Sequence, residues 1–96
     1  MKKGYWVVNY LSIRDPKALE NYSALALPAI NAAGGRPLAR GKAVAAHEAG
    51  RLERTVIVEF DTVEQARAAY ESDAYRAALA ELKGLIERDF RILEGA

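Results

Sequence analysis

The two most apolar stretches of the chain are YWVVNYLSI at residues 5–13 and TVIVEF at residues 55–60. Successive side chains of a strand point to opposite faces, and in residues 5–13 both the odd and the even positions are largely apolar. The second stretch has a similar two-sided pattern. A strand with two apolar faces is covered on both, so these stretches predict the two central strands of a sheet.

Each apolar stretch is followed by a helical segment, and the first of these has clear boundary signals. Asp15 can accept backbone N–H bonds as an N-cap, and Pro16 loses no hydrogen bond at the first helical position. Residues 34–35, both glycine, predict the end of this helix. Pro28 interrupts the helical pattern, because it lacks a donor and crowds the preceding turn, and it predicts a kink or break.

The second helical region begins at residues 62–65, TVEQ, which fit a capping box. Ser72 predicts a break in this region and the N-cap of a new helix. An apolar stripe then continues at helical spacing from Tyr75 to Ile86. Residues 90–94 predict the last strand.

The segment between the two halves reads as a short strand at residues 36–40 and a turn or bulge at 41–42. An extended run over 43–48 and a hairpin loop at 49–54 follow. The order of elements is therefore β-α-β-β-α-β. It indicates a ferredoxin-like α+β fold with an antiparallel sheet, in a single domain over residues 1–96.

The apolar pattern also predicts a partner. Right-handed crossovers place both helical regions on the same face of the sheet, which leaves the other apolar face without cover. A second copy of the same sheet is the simplest cover, so we expect a homodimer.

The composition excludes several classes of function. Fourteen Lys and Arg residues balance thirteen Asp and Glu residues without a basic cluster, so we expect no nucleic-acid partner. No apolar stretch approaches the ~20 residues that cross a bilayer, and the chain begins directly with a strand, so we expect no membrane partner and a cytoplasmic location. Without cysteine, and with His47 as the only histidine, we expect no metal site and no cofactor.

A few polar residues lie in apolar surroundings and are candidates for a site. Glu59 falls on a predicted central strand, where an ionised carboxylate needs a partner. It either forms a structural ion pair with Arg40 or Arg54, or serves as an acid, base or ligand anchor in a cleft. The planar guanidinium of Arg40 suits such a carboxylate, and it would suit an anionic ligand equally.

The aromatic and hydroxyl residues leave further alternatives open. Tyr22 and Tyr75 lie on the apolar stripes of the two helical regions, where they either fill the core or form an aromatic pocket with polar tips. Ser72 reads as a helix cap rather than a nucleophile, since no His or acid is placed to activate it. His47, near the predicted hairpin loop, reads as a solvated residue.

The order and spacing of these residues resemble one known family, the domain of unknown function 1330, over essentially the whole chain. The resemblance rests on residues 4–8 (GYWVV), Tyr22, Pro28, 34–35, Arg40, Gly41, Glu48, Gly50, Arg54, 58–60 (VEF), Ala66, Ser72, Tyr75, Glu94 and Gly95. That family belongs to the dimeric α/β-barrel superfamily, so the resemblance implies a ferredoxin-like protomer whose sheet packs on that of a partner. The superfamily includes cofactor-free monooxygenases, lactone isomerases and stress-responsive proteins, and the family has no settled activity.

Residues that match the family pattern form the candidate cleft: Tyr22, Arg40, Glu48, Arg54, Glu59, Ser72 and Tyr75. Two departures affect it. The family usually has Leu-Glu-Gly at the end of the second strand, where this chain has HEAG at residues 47–50. The family also commonly has an arginine late in the second helical region, where the nearest basic residue here is Lys83.

Three functions follow as hypotheses. The first is a homodimer that binds a small organic molecule between its helices and sheet. The second is a cofactor-free monooxygenase or isomerase on a phenolic or lactone substrate, with Glu59 as acid or base, Arg40 or Arg54 as oxyanion stabiliser and the tyrosines as walls. The third is a stress-related interaction module without a ligand. A pocket of about 300 Å³ or more would favour the first two.

Overall fold

Four strands and three helices make up the computed structural model, which describes residues 1–96. In chain order they are β1 (Gly4–Ile13), α1 (Pro16–Ala32), β2 (Arg36–Lys42), β3 (Arg54–Phe60), α2 (Val63–Glu71), α3 (Asp73–Ala80) and β4 (Ile86–Glu94). The predicted ferredoxin-like α+β fold is confirmed, with the second helical region divided into two helices.

The strands form one antiparallel sheet in the order β2-β3-β1-β4. The predicted central strands, β1 and β3, are confirmed in that place. In the register, Trp6 lies opposite Val58 on one side and Ile92 on the other. The register shifts between Tyr10 and Ser12, and again within β2, so both strands are irregular beside the cleft described below.

The buried core lies on the face of the sheet that the helices cover, here called the inner face. Trp6 is 1% exposed, and its indole N–H donates to the carbonyl of Ala66 on α2 at 2.8 Å. Its ring lies 5.1 Å from that of Phe60, 4.8 Å from that of Tyr75 and 5.0 Å from that of Phe90, measured between centroids. One side chain therefore joins three strands to two helices.

The opposite face of the sheet, the outer face, is covered by no helix. Burial alternates along the first seven residues of β1, where Trp6 and Val8 are buried and Tyr5 and Val7 are only half-buried. The chain measures 16 Å along its shortest axis, which corresponds to one layer of helices on one sheet. The outer face thus carries apolar side chains without cover from this chain.

Helix α1 begins as predicted and then passes its proline without a break. The carboxylate of Asp15 accepts the N–H of Lys17 at 3.0 Å, and Pro16 is the first helical residue. The helix continues through Pro28 to Ala32, so the predicted break is wrong. Pro28 is exposed, as is Ala24 one turn earlier, and water can therefore satisfy the carbonyl that proline leaves unbonded.

The break between α2 and α3 occurs where the sequence predicts it. Ser72 has extended backbone angles, and its hydroxyl accepts the N–H of Tyr75 at 3.2 Å as the N-cap of α3. Beyond this point one prediction is wrong, because α3 ends at Ala80 and the last strand begins at Ile86 rather than at residue 90. Gly84, at φ +70°, lies in the turn that separates them.

The connection between β2 and β3 also differs from the prediction. Strand β2 continues through Gly41 to Lys42, and residues 43–53 form an exposed loop instead of a continued extended run. Lys42 pairs with Arg54, the first residue of β3, so an extended chain beyond Lys42 would have no strand to bond.

No helix of the structure has the length and apolar character needed to cross a membrane.

We expect Gly4→Ala to lower the free energy of unfolding by about 1–3 kcal/mol, the range for overpacking a filled site. A Cβ at this position would lie 2.5 Å from the carbonyl oxygen of Thr62 and 2.6 Å from the Cα of Val63, and backbone atoms cannot turn aside. Thermal unfolding measures the change, which corresponds to roughly 4–8 °C per kcal/mol in a chain of this size. Gly95→Ala, whose Cβ has 3.2 Å to its nearest atoms, is the control. Equal melting temperatures for the two variants would contradict the expectation.

Candidate cleft between the first helix and the sheet

A cleft opens between α1 and the inner face of β1, β2 and β3. Its walls are mainly apolar, with three arginines and two tyrosines among them. The lining residues are Trp6, Val8, Tyr10, Tyr22, Ser23, Ala26, Leu27, Ile30, Pro37, Arg40, Arg54, Val56, Val58 and Arg88. This set includes Tyr22, Arg40 and Arg54 from the sequence prediction and adds Arg88, which the sequence analysis did not identify.

The size of the cleft sets what it can hold. The whole cleft, including the part open to solvent, has a volume of about 520 Å³, but its interior cavity is only about 50 Å³. A cavity needs roughly 10–15 Å³ to hold one water, and ordinary ligand pockets have volumes of roughly 300 Å³ or more. The interior is therefore large enough for a small chemical group, and the rest of a ligand would lie towards the mouth.

Arg88 lies on β4 opposite Tyr10, so its side chain enters the cleft from the inner face. Its Nη1 donates to the hydroxyl of Tyr22 at 3.0 Å and to that of Tyr75 at 3.5 Å, and the two hydroxyls bond each other. The guanidinium carbon also lies 4.9 Å from the ring centroid of Tyr22 and 5.2 Å from that of Phe90. Aromatic rings and hydroxyls therefore surround this cation, and no carboxylate lies within ion-pair distance.

Near pH 7 the two tyrosines are neutral and Arg88 is positively charged. Burial raises the pKa of Tyr22, and burial together with the neighbouring Tyr22 raises that of Tyr75, so both hydroxyls are neutral near pH 7. Burial alone would lower the pKa of Arg88, but its interactions with the two tyrosines outweigh burial and leave the pKa raised. The cluster therefore presents one positive charge and two neutral hydroxyls.

Arg54, the first residue of β3, carries an unsatisfied donor. Its Nε is buried and has no hydrogen-bond partner in the protein. The guanidinium carbon lies 5.7 Å from the centroid of the Tyr10 ring, the same distance as that of Arg88. An unpaired buried N–H of a charged group is costly, so this atom needs an acceptor from outside the chain, which water or a ligand can supply.

Arg40 lies at the mouth of the cleft on β2 and pairs in register with Val56. Like Arg54 and Arg88 it has no carboxylate within 4.0 Å, whereas Arg14, Arg36, Arg51 and Arg91 each form an ion pair elsewhere. No Asp or Glu lines the cleft. The cleft is therefore positively charged and without a counter-ion from this chain.

Glu59 lies on the outer face, on the far side of the sheet from the cleft. Its carboxylate accepts the hydroxyl of Tyr5 at 2.9 Å and two N–H groups of Arg36 at 3.1 and 3.2 Å. The partner is thus Arg36, and the predicted pairing with Arg40 or Arg54 is wrong, because those two side chains point to the inner face. The bonds from Tyr5 and then from Arg36 lower the pKa of Glu59, which is a structural carboxylate in this setting.

The remaining predicted residues are distributed as follows. Tyr75 is buried and bonds Tyr22 at the inner end of the cleft. Ser72 caps α3 and also donates to the carbonyl of Ala69 at 2.8 Å. Glu48 and His47 are exposed in the loop at residues 43–53, away from the cleft lining. No group of three or more His, Asp or Glu side chains is arranged to hold a metal ion.

Alternation along the last strand is the sequence signal that could have identified Arg88. The family resemblance implies an arginine late in the second helical region instead, where the nearest basic residue is Lys83. Lys83 lies in the turn after α3, with φ +51°. A strand that begins at Ile86 places Arg88, Phe90 and Ile92 on one face at alternating positions, and Arg88 then faces the core.

The fold and the cleft define a small ferredoxin-like α+β protein with a cationic, aromatic cleft. The chain belongs to the family described as Domain of unknown function (DUF1330), which matches residues 3–96. No curated protein matches the chain.

Solved structures with the same fold share little sequence with this chain. A protein of unknown function from Rhodopseudomonas palustris has 12% identity and a TM-score of 0.76, over 99% of this chain and 83% of that one. A dimeric ferredoxin-like protein of unknown function from Thermobifida fusca has 17% identity and a TM-score of 0.61, over 97% and 91%. SnoaB, a cofactor-independent oxygenase from Streptomyces nogalater, has 11% identity and a TM-score of 0.63, over 100% and 95%.

We expect Glu59→Gln to melt below the parent protein at pH 7, because the neutral amide accepts the bonds from Tyr5 and Arg36 more weakly. The lowered pKa of Glu59 means that its ionised form stabilises the fold at pH values above the usual carboxyl range, and this contribution is lost as the pH falls through the lowered pKa. The difference in melting temperature should therefore shrink in acid. Glu71→Gln, an exposed carboxylate without an ion pair, serves as control. A difference that is the same at pH 7 and at about pH 3 would contradict this reasoning.

Proposed function

We propose that this protein binds a small organic molecule in the cleft between α1 and the sheet. The observation that carries the proposal is the buried Nε of Arg54, which lacks an acceptor at the edge of a mainly apolar cleft. Leaving such a donor unpaired costs about 1–3 kcal/mol. A ligand that supplies an acceptor recovers this energy, and the apolar walls bind the rest of the molecule.

A catalytic role has less support in the cleft. SnoaB is a cofactor-independent oxygenase with this fold, but a likeness at 11% identity extends to the fold alone. The acid or base of the enzyme hypothesis, Glu59, lies on the other face of the sheet, and the hydroxyls of Tyr22 and Tyr75 are neutral and bonded to each other. An interior of about 50 Å³ is also too small to enclose a phenolic or lactone substrate. Binding is therefore a stronger proposal than catalysis. The interior is smaller than the roughly 300 Å³ of an ordinary ligand pocket, so it is the unpaired Nε of Arg54, rather than the volume, that favours binding over a ligand-free interaction module.

We also propose that two copies pair through their outer faces, and we keep the cytoplasmic location as a prediction. Val7 and Ile57 lie opposite each other on the two central strands of that face, half-buried, and Leu93 is 49% exposed. A single chain of 96 residues buries only roughly 60–65% of the surface that its unfolded form exposes, so its own core is small. Packing two sheets face to face would cover these side chains and give a dimeric α/β barrel.

The binding proposal can be tested with six-carbon probes and the fluorescence of Trp6, the only tryptophan, which lines the cleft. We expect saturable changes in fluorescence with at least one of hexanoate, 1-hexanol and hexylammonium. Ala26→Leu places three more carbons beyond Cβ into the cleft wall and should weaken the response about tenfold or more. Ala68→Leu, on the exposed side of α2, is the matched control. The proposal fails if none of the three probes gives a saturable response.

The pairing of two copies can be tested by light scattering. At tens of micromolar we expect a mass of twice the 10.5 kDa of the chain. Val7→Glu should shift the protein to the monomer, because a buried carboxylate without a partner opposes association. Ala68→Glu adds the same charge on an exposed helical position and should remain dimeric. A monomeric parent protein, or a dimer that Val7→Glu leaves intact, would refute pairing through the outer face.

A further inference from the structure

We infer that the ligand of the cleft is a small organic acid, with its carboxylate against Arg54 and Arg88 and an apolar tail that leaves over Leu27 and Leu38. This inference rests on the proposed binding function and adds the chemical class of the ligand. It is carried by the distribution of charge and of unsatisfied donors, and by the shape of the cleft and its mouth.

The charge in the cleft has one sign. Arg40, Arg54 and Arg88 line it, and none of them has a carboxylate of this chain within ion-pair distance. Arg54 and Arg88 each lie 5.7 Å from the ring of Tyr10, so two cations share one aromatic neighbour. Holding two cations without a counter-ion in a partly desolvated site is unfavourable, and an anion bound in the cleft offsets that cost.

The free donors match a carboxylate. The Nε of Arg54 has no partner, and only Nη1 of Arg88 forms hydrogen bonds within the protein. Guanidinium groups bind carboxylates through two parallel N–H bonds, which are stronger than bonds between neutral groups. Arg54 also lines a neighbouring cavity that contains two carboxylates, and both are already engaged, since Glu53 pairs with Arg51 and Asp89 pairs with Arg91.

The shape of the site separates a head from a tail. The interior, about 50 Å³, has room for a carboxylate but not for a larger molecule. A second, more open groove adjoins its mouth and shares Leu27, Pro37 and Arg40 with it, and the groove continues over Leu38, whose side chain is 55% exposed. A ligand with its anionic end inside would therefore lay an aliphatic or aromatic tail across exposed apolar side chains.

The test compares hexanoate with 1-hexanol and hexylammonium, which have the same tail, and with acetate, which has the head alone. From the strength of hydrogen bonds to charged groups, we expect hexanoate to bind at least about tenfold more tightly than hexanol, and hexylammonium to bind least. Acetate should bind more weakly than hexanoate. If hexanol or hexylammonium binds as tightly as hexanoate, the inference is wrong and the binding proposal stands. If none of the six-carbon probes binds, both are wrong.

Variants of the arginines provide the second readout. Arg54→Met keeps an unbranched side chain as far as the position of Nε and removes the guanidinium with its unpaired donor, so we expect about a tenfold loss of hexanoate affinity with a melting temperature that is unchanged or raised. Arg40→Gln, at the exposed mouth, should weaken hexanoate binding without affecting folding. Arg67→Gln removes an exposed arginine of α2 that has no ion pair and should change neither quantity. Hexanoate affinity that survives both Arg54→Met and Arg40→Gln would overturn the inference.

Discussion

The structure depends on the packing and the hydrogen bond of the Trp6 indole. The indole lies near the start of a central strand, bonds the backbone of α2 through Ala66, and contacts aromatic rings from β3, β4 and α3. The same side chain also lines the cleft. The position of the helices over the sheet and the floor of the cleft are therefore set by one residue, and a ligand in the cleft would be in contact with the centre of the core.

Most of the fold could be predicted because local sequence patterns determine most of its strands and helices. Two-sided apolar strands identified β1 and β3 as central. Asp15 and Ser72 marked helix starts through the hydrogen bonds that they accept, and Pro16 through the donor that it lacks. The predicted boundaries were wrong where tertiary contacts, rather than local patterns, decide the secondary structure. Apolar residues between Ala80 and Ile86 suit a helix or a strand equally, and only the turn at Gly84 separates the two.

The candidate site could be predicted only in part, for a related reason. Alternation along β3 places Arg54 with Val56 and Val58 and places Glu59 on the other face, so the parity of the strand already separates the arginine from the carboxylate. The sequence identified Glu59 as a carboxylate in apolar surroundings and Arg54, at the end of the predicted hairpin loop, as one of its possible partners, but could not show which of them lacked a partner. That distinction depends on Arg36 and Tyr5, which reach Glu59 from neighbouring strands.

The order of the strands has a consequence for how the chain folds. The two β-α-β halves contribute β1 and β2, and β3 and β4, yet the sheet order β2-β3-β1-β4 never places two strands of one half side by side. Every backbone ladder therefore joins one half to the other. Neither half can complete a sheet alone, so folding should be all-or-none. A chain cut in the loop at residues 43–53 would keep its structure only through association of the two fragments.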